Sequence, residues 1–166
     1  MDEEFLEVVN EQGEVLFLRA RSEIHGDPSL MHRVVHVLVF NLKGELLLQK
    51  RSMRKDVAPG RWDTSVGGHV DPGETPHKAA LRELEEELGV RAEPEFLYSY
   101  VHTNPYETEM VHTFRCFHDG AFSFNREEID EVRFWSIESI LSQMEGEALS
   151  DNFKHELSVY LETWGR

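Results

Sequence analysis

Cysteine occurs once in the chain, as Cys116. A lone thiol closes no internal disulfide and builds no zinc cluster, so nothing points to an oxidising compartment. Its surroundings, HTFRCFH, alternate like a strand, which makes Cys116 a packed side chain rather than a nucleophile. Long apolar runs are missing as well: no stretch approaches the ~18 residues that a membrane span needs. The N-terminal MDEEFLEVVNEQGEV is acidic and lacks the basic start and apolar run of a signal peptide. Positive charge is scarce, with 17 Lys plus Arg against 32 Asp plus Glu and a formal net charge of −15. Such a surface repels nucleic acid and anionic membranes, and an anionic ligand then needs a cation as mediator. Repeats, low-complexity tracts and Pro/Ser-rich linkers are absent. The expectation is therefore one domain over residues 1–166, soluble and cytoplasmic, with neither nucleic acid nor membrane as a partner. A homodimer is left open.

What is present is a set of short strands followed by helices. EFLEVVN and EVLFLRAR, joined at NEQGE, read as a β-hairpin, and RVVHVLVFN and ELLLQKR, joined at LKG, as a second. Further strands are predicted around Glu95–His102, Met110–His118 and Val132–Trp135, and helices over Ile137–Met144 and Phe153–Trp164. This irregular mixture predicts an α+β layered domain.

Between the two sets lies GGHVDPGETPHKAALRELEEELGV. Thr75 reads as a helix N-cap, Pro76 as the first helical residue and Gly89 as the stop. At ~100° per residue, Leu81, Leu84 and Leu88 share one side, and Glu83, Glu86 and Glu87 converge on nearly the opposite one. Three carboxylates at this spacing repel one another and raise each other's pKa values unless something neutralises them. A solvated acidic face is the common outcome; a hard divalent cation shared with substrate phosphates is the functional one.

The surrounding pattern favours the second. Gly68, five residues, Glu74, seven residues, then Arg82-Glu83-Leu84-x-Glu86-Glu87-x-Gly89-Val90 matches the Nudix box at every defined position, and the chain resembles the Nudix hydrolase superfamily. The resemblance implies the Nudix fold, a mixed β-sheet sandwiched between α-helices. It also implies Mg²⁺- or Mn²⁺-dependent cleavage of a small-molecule diphosphate, usually a nucleoside diphosphate linked to another moiety, by attack of water. Carried over position by position, Glu86 and Glu87 are metal ligands and Glu83 is a further ligand or the base that activates water. Arg82 orients Glu83, the Gly67 carbonyl supplies another ligand, and Glu74 orders the loop or helix start.

A second resemblance covers roughly residues 20–110: HGDPSLMHRVVHVLVFN and LLLQKRSMRKDVAPGRWDTSVGGH are similar to the isopentenyl-diphosphate isomerase branch of the superfamily. It implies a separate metal site at His25, His32, His69, Glu107 and Glu109, a donor set that suits a divalent transition metal. It also implies diphosphate contacts from Arg51 and Lys55, with Lys50 in the same basic run. That branch needs a cysteine where this chain has Gly67, and it departs from the hydrolytic box at the positions of Glu83 and Glu86. Hydrolysis is therefore the expected reaction and isomerisation the alternative. Trp62, near the box, is the candidate for stacking on a base.

Overall fold

The computed structural model of the protein describes residues 3–164. In chain order its elements are β1 (Phe5–Val9), β2 (Val15–Ala20), α1 (Arg21–Ile24), β3 (Met31–Phe40), β4 (Leu46–Arg51), β5 (Trp62–Asp63) and β6 (Val66–His69). There follow α2 (Pro76–Leu88), β7 (Glu95–Thr103), β8 (Thr108–Phe117), β9 (Ile129–Trp135), α3 (Ile137–Leu141) and α4 (Asp151–Thr163).

β3 is the spine of the sheet. It runs parallel to β8 from Met31↔Thr108 to Phe40↔Phe117 and antiparallel to β6 from Val34↔His69 to Val37↔Val66. Its sequence is apolar on both faces, and a strand of that kind has to be covered on both sides. Val35, Val37 and Val39 turn one way, into a cluster with Leu47, Val66, Phe114, Cys116 and the α2 residues Ala79, Ala80, Leu84 and Leu88. Leu38 and Phe40 turn the other way, into a cluster with Leu46, Leu48, Ile140 of α3 and Phe153 and Leu157 of α4. The result is a mixed, curled sheet between helices, the α+β Nudix fold that the resemblance implied.

The first hairpin forms as expected, β1 against β2, turning at Gly13 with φ +79 and with Asn10 Oδ1 accepting from the N–H groups of Gln12 and Glu14. The second is only a turn. β3 and β4 meet at the single pair Phe40↔Leu46 and then part, β3 to β6 and β8, β4 to β5 and β9. Both strands bury both faces and so take separate interior neighbours. α3 stops at Leu141 rather than Met144, because beyond it the chain closes in tighter i→i+3 turns, Gln143 N–H to Ile140 O and Met144 N–H to Leu141 O. α4 starts earlier than predicted, because Ser150 caps it by accepting from Phe153 N–H at 3.1 Å. Cys116 is buried in the α2 cluster, and burial pushes its thiol up to about 11, as befits a packing residue. No helix among the described residues is long and apolar enough to cross a membrane.

Candidate active site

α2 is set by its two ends. Thr75 Oγ1 accepts the Lys78 N–H at 3.2 Å, Pro76 occupies the first position, and Gly89 at φ 67 ends the helix by returning its N–H to Glu85 O and Leu84 O. The buried stripe runs through Ala80, Leu84 and Leu88; Leu81, expected in it, is only half-buried. Around that stripe the box glutamates are graded rather than clustered opposite. At ~100° per residue, Glu87 lies about 60° from the stripe's centre, Glu83 about 100° and Glu86 about 160°. Burial follows the angles: Glu86 is 58% exposed, Glu83 15%, and one Glu87 oxygen is wholly shut off from solvent.

Arg82 ties the box together. Its guanidinium grips Glu74 with two bonds of 2.9 Å, donates to Glu83 Oε1 at 2.7 Å and Glu86 Oε2 at 3.2 Å, and reaches the His69 carbonyl at 3.0 Å. Glu74 also accepts the Asp71 N–H at 3.0 Å, so the β6–α2 loop is fastened to the helix, and the Arg82 contact holds the Glu74 carboxyl below its usual range. Charge-assisted, bidentate contacts of this kind fix direction as well as distance. Gly68 makes room for Glu83: a Cβ there would lie 2.5 and 2.6 Å from the two Glu83 oxygens.

Glu87 is the strained member. Oε1 accepts from Gln49 Nε2 at 3.2 Å, while Oε2 is buried with no partner. Burial first, and the adjacent Glu83 carboxylate second, raise Glu87 well above the usual carboxylate range. Gln49, itself 8% exposed, also donates to Ser65 O at 3.0 Å and thereby pins β4 to the box. Its signal in the sequence is one amide at a buried position of the apolar ELLLQKR.

The five residues of the second predicted metal site also come together. His25 follows α1, His32 lies on β3, His69 on β6, and Glu107 and Glu109 stand at the start of β8. The three imidazole centroids are 5.3–5.5 Å apart. His25 Nε2 is 3.3 Å from Glu107 Oε2, and His32 Nε2 is 3.9 Å from the same oxygen and 3.7 Å from Glu109 Oε2. Ligands ~2.1 Å from one ion stand roughly 3.0–3.4 Å from each other, so small rotations would suffice for coordination. His25 Nε2 and both His32 nitrogens are buried without partners. Burial, then the neighbouring His69 and His25, lower His32 to about 3; burial, then Arg21, lower His69 to about 4. Burial, then Glu107, push Glu109 up to about 7. His32 and His69 are thus kept neutral, the form that binds a metal.

Of the three basic candidates, Arg51 is held in place, donating to Val57 O at 2.7 Å and to Asp63 Oδ2 at 3.3 Å. Lys50 sits half-buried on β4 opposite Trp62 and Glu131, and Lys55 is half-buried in the following loop. Trp62 is not free to stack on a base: it is 8% exposed, packed edge-on against Trp135 at 5.3 Å and covered by the Arg133 guanidinium at 4.9 Å.

The family model of the NUDIX domain matches residues 30–157. An uncharacterized Nudix hydrolase of Yersinia pestis is 33% identical over 162 residues, spanning 95% of this chain and 86% of that protein. An isopentenyl-diphosphate Delta-isomerase of Streptomyces avermitilis is 35% identical over 138 residues, spanning 78% of this chain and 69% of that one. Among solved structures, a Deinococcus radiodurans protein superposes with a TM-score of 0.77 at 29% identity, covering 97% of this chain and 99% of the other. A complete box on the helix of a Nudix fold, and a family match over most of the chain, lead to one conclusion: the chain belongs to the Nudix family and is a Nudix hydrolase, an enzyme that cleaves a diphosphate bond.

Proposed function

We propose that the protein hydrolyses a nucleoside diphosphate linked to a further moiety, with Mg²⁺ or Mn²⁺ held by Glu83, Glu86, Glu87 and the Gly67 carbonyl. The observation that carries this reading is Glu87, whose buried, unpartnered Oε2 lies beside a second carboxylate. Removing two carboxylates from water side by side costs several kcal/mol unless a cation answers them. The donors are all hard oxygens, which fits Mg²⁺ or Mn²⁺ rather than a thiophilic metal. Such an ion, when bound, neutralises the diphosphate and lowers the pKa of water. This chain's residues do the rest. Glu86 and Glu87 hold charge at the helix face, Glu83 takes a proton from the attacking water through the oxygen not engaged by Arg82, and Arg82 fixes Glu83. Arg51 and Lys55, with Lys50, are the basic contacts to the diphosphate, their charge answering that of the phosphates. The enzyme acts in the cytoplasm and needs no nucleic-acid partner. Phosphate release from nucleoside di- and triphosphates, nucleotide sugars, dinucleotides and prenyl diphosphates tests it: at least one polar substrate is cleaved with Mg²⁺ or Mn²⁺, and chelation abolishes the activity.

We also propose that His25, His32, His69, Glu107 and Glu109 bind a divalent transition metal, on the strength of two partnerless imidazole nitrogens, His25 Nε2 and His32 Nε2, facing two carboxylates. Crystals soaked in Mn²⁺ or Zn²⁺ should show an anomalous peak among these side chains. Ordered water with no peak would remove the claim. Isomerisation is set aside because Gly67 offers no side chain to exchange a proton with carbon.

A further inference from the structure

The three imidazoles of the cluster do not share one kind of neighbour. His25 and His32 turn Nε2 toward the β8 carboxylates, His25 at 3.3 Å from Glu107 Oε2 and His32 at 3.9 Å from Glu107 Oε2 and 3.7 Å from Glu109 Oε2. His69 has neither of these within ion-pair distance among the described residues. Its neighbour is Glu4, whose Oε1 lies 3.8 Å from His69 Nδ1. Glu4 stands immediately before β1, outside the five residues assigned to the metal.

The backbone holds Glu4 in that place. Arg21 N–H donates to Glu4 O at 2.8 Å, which carries the β1–β2 ladder one step past the pair Phe5↔Ala20. The carboxylate is then divided between two partners: Oε2 accepts from Arg21 Nη1 at 3.3 Å, and Oε1 is turned toward His69. Glu4, Arg21 and His25 line one open recess of about 460 Å³, so Glu4 sits on the solvent side of the cluster. The 3.8 Å separation is an ion-pair distance, about 1 Å longer than a hydrogen bond. Glu4 is 42% exposed, and rotation of its side chain closes that gap.

A histidine that binds a metal through one ring nitrogen is held in orientation by giving its other N–H to a carboxylate or a carbonyl. With Nδ1–H given to Glu4, the lone pair of His69 lies on Nε2, the same nitrogen that His25 and His32 turn toward the β8 carboxylates. We propose that Glu4 is a positioning residue of this metal site, accepting a hydrogen bond from His69 Nδ1–H and so leaving Nε2 to the ion. The assignment rests on the reading that His25, His32, His69, Glu107 and Glu109 bind a divalent transition metal. Glu4 also answers the Arg21 guanidinium, whose charge would otherwise oppose an incoming cation.

Calorimetric binding of Zn²⁺, with the box saturated by Mg²⁺, tests this without turnover. Glu4→Leu should weaken Zn²⁺ binding ~10–100-fold, the usual loss when the group behind a ligating histidine is removed. Glu4→Gln, whose amide oxygen still accepts from Nδ1–H, should recover part of that loss. Glu3→Leu is the control: the Glu3 carboxylate meets Ser22 Oγ, and its removal should leave the affinity unchanged. Equal losses in Glu4→Leu, Glu4→Gln and Glu3→Leu would mean that charge alone is at work and would overturn the positioning role. Nitrogen NMR of the metal-free protein reads the ring directly: His69 should carry its hydrogen on Nδ1 in the wild type and lose that preference in Glu4→Leu. Wild-type Zn²⁺ affinity or an unchanged His69 tautomer in Glu4→Leu would overturn the Glu4 assignment alone. Failure of the wild-type protein to bind Zn²⁺ would overturn the cluster reading, and Glu4 with it.

Discussion

Replacing Glu87 with glutamine is expected to lower kcat at least ~100-fold while leaving the fold intact or firmer. The substitution keeps size and shape and removes only charge. That charge is held at a disadvantage, with one oxygen accepting from Gln49 and the other buried without a partner beside Glu83. A group kept ionised against its surroundings reduces stability in the metal-free protein, so its removal should raise the metal-free melting temperature or leave it unchanged. Glu86→Gln should lose activity to a similar degree with little thermal effect, since Glu86 is 58% exposed. Steady-state kinetics at saturating Mg²⁺, beside thermal melts with and without the metal, check both. Full activity in both variants would contradict the assignment of these glutamates.

Gly68→Ala is expected to cost both stability and rate. The new methyl carbon would fall 2.5 and 2.6 Å from the Glu83 oxygens, well inside contact distance, so the carboxylate has to leave β6. Overpacking of this kind costs about 1–3 kcal/mol, or ~2–4 °C in Tm per kcal/mol at this chain length. The displaced Glu83 also loses its 2.7 Å contact with Arg82, and a shift of ~1 Å in a positioned group can lower kcat ~100-fold. Gly73→Ala is the control. Gly73 has φ +78 and no neighbour within reach of a Cβ, so it should lose ~1 kcal/mol from backbone strain and keep its kcat. Equal kcat in the Gly68 and Gly73 variants would show that Glu83 needs no fixed position.

The box helix was legible because its information is local. Cap, first-turn proline and terminal glycine lie within a turn of the ends they define, and the spacing of Leu84 and Leu88 fixes which side turns inward. Leu81 shares that side by angle yet is only half-buried, because its neighbours in space, not its angle, decide its burial. The same applies at longer range. ELLLQKR looks like the return strand of a hairpin, and only the arrival of β9, about eighty residues later, shows where β4 pairs. Trp62 could be read as a stacking surface until Trp135 and Arg133 closed over it. Gln49 left only a faint trace, a single amide in an apolar strand. Its role depends on a partner 38 residues away, which no local pattern encodes. The histidine and glutamate cluster lay between these cases: its members are scattered, and the resemblance, not their spacing, brought them together.

The claim that this scaffold hydrolyses rather than isomerises meets its most direct test in one paired experiment. Proton NMR follows isopentenyl diphosphate with enzyme and Mg²⁺ in deuterated water, while phosphate release is measured across the substrate panel. Isomerisation needs proton exchange on both faces of a carbon–carbon double bond, and Gly67 removes the side chain on one face. The account predicts no deuterium in the prenyl chain and metal-dependent phosphate release from at least one polar diphosphate. Deuterium entering the prenyl chain, with no phosphate released from any substrate, would contradict it.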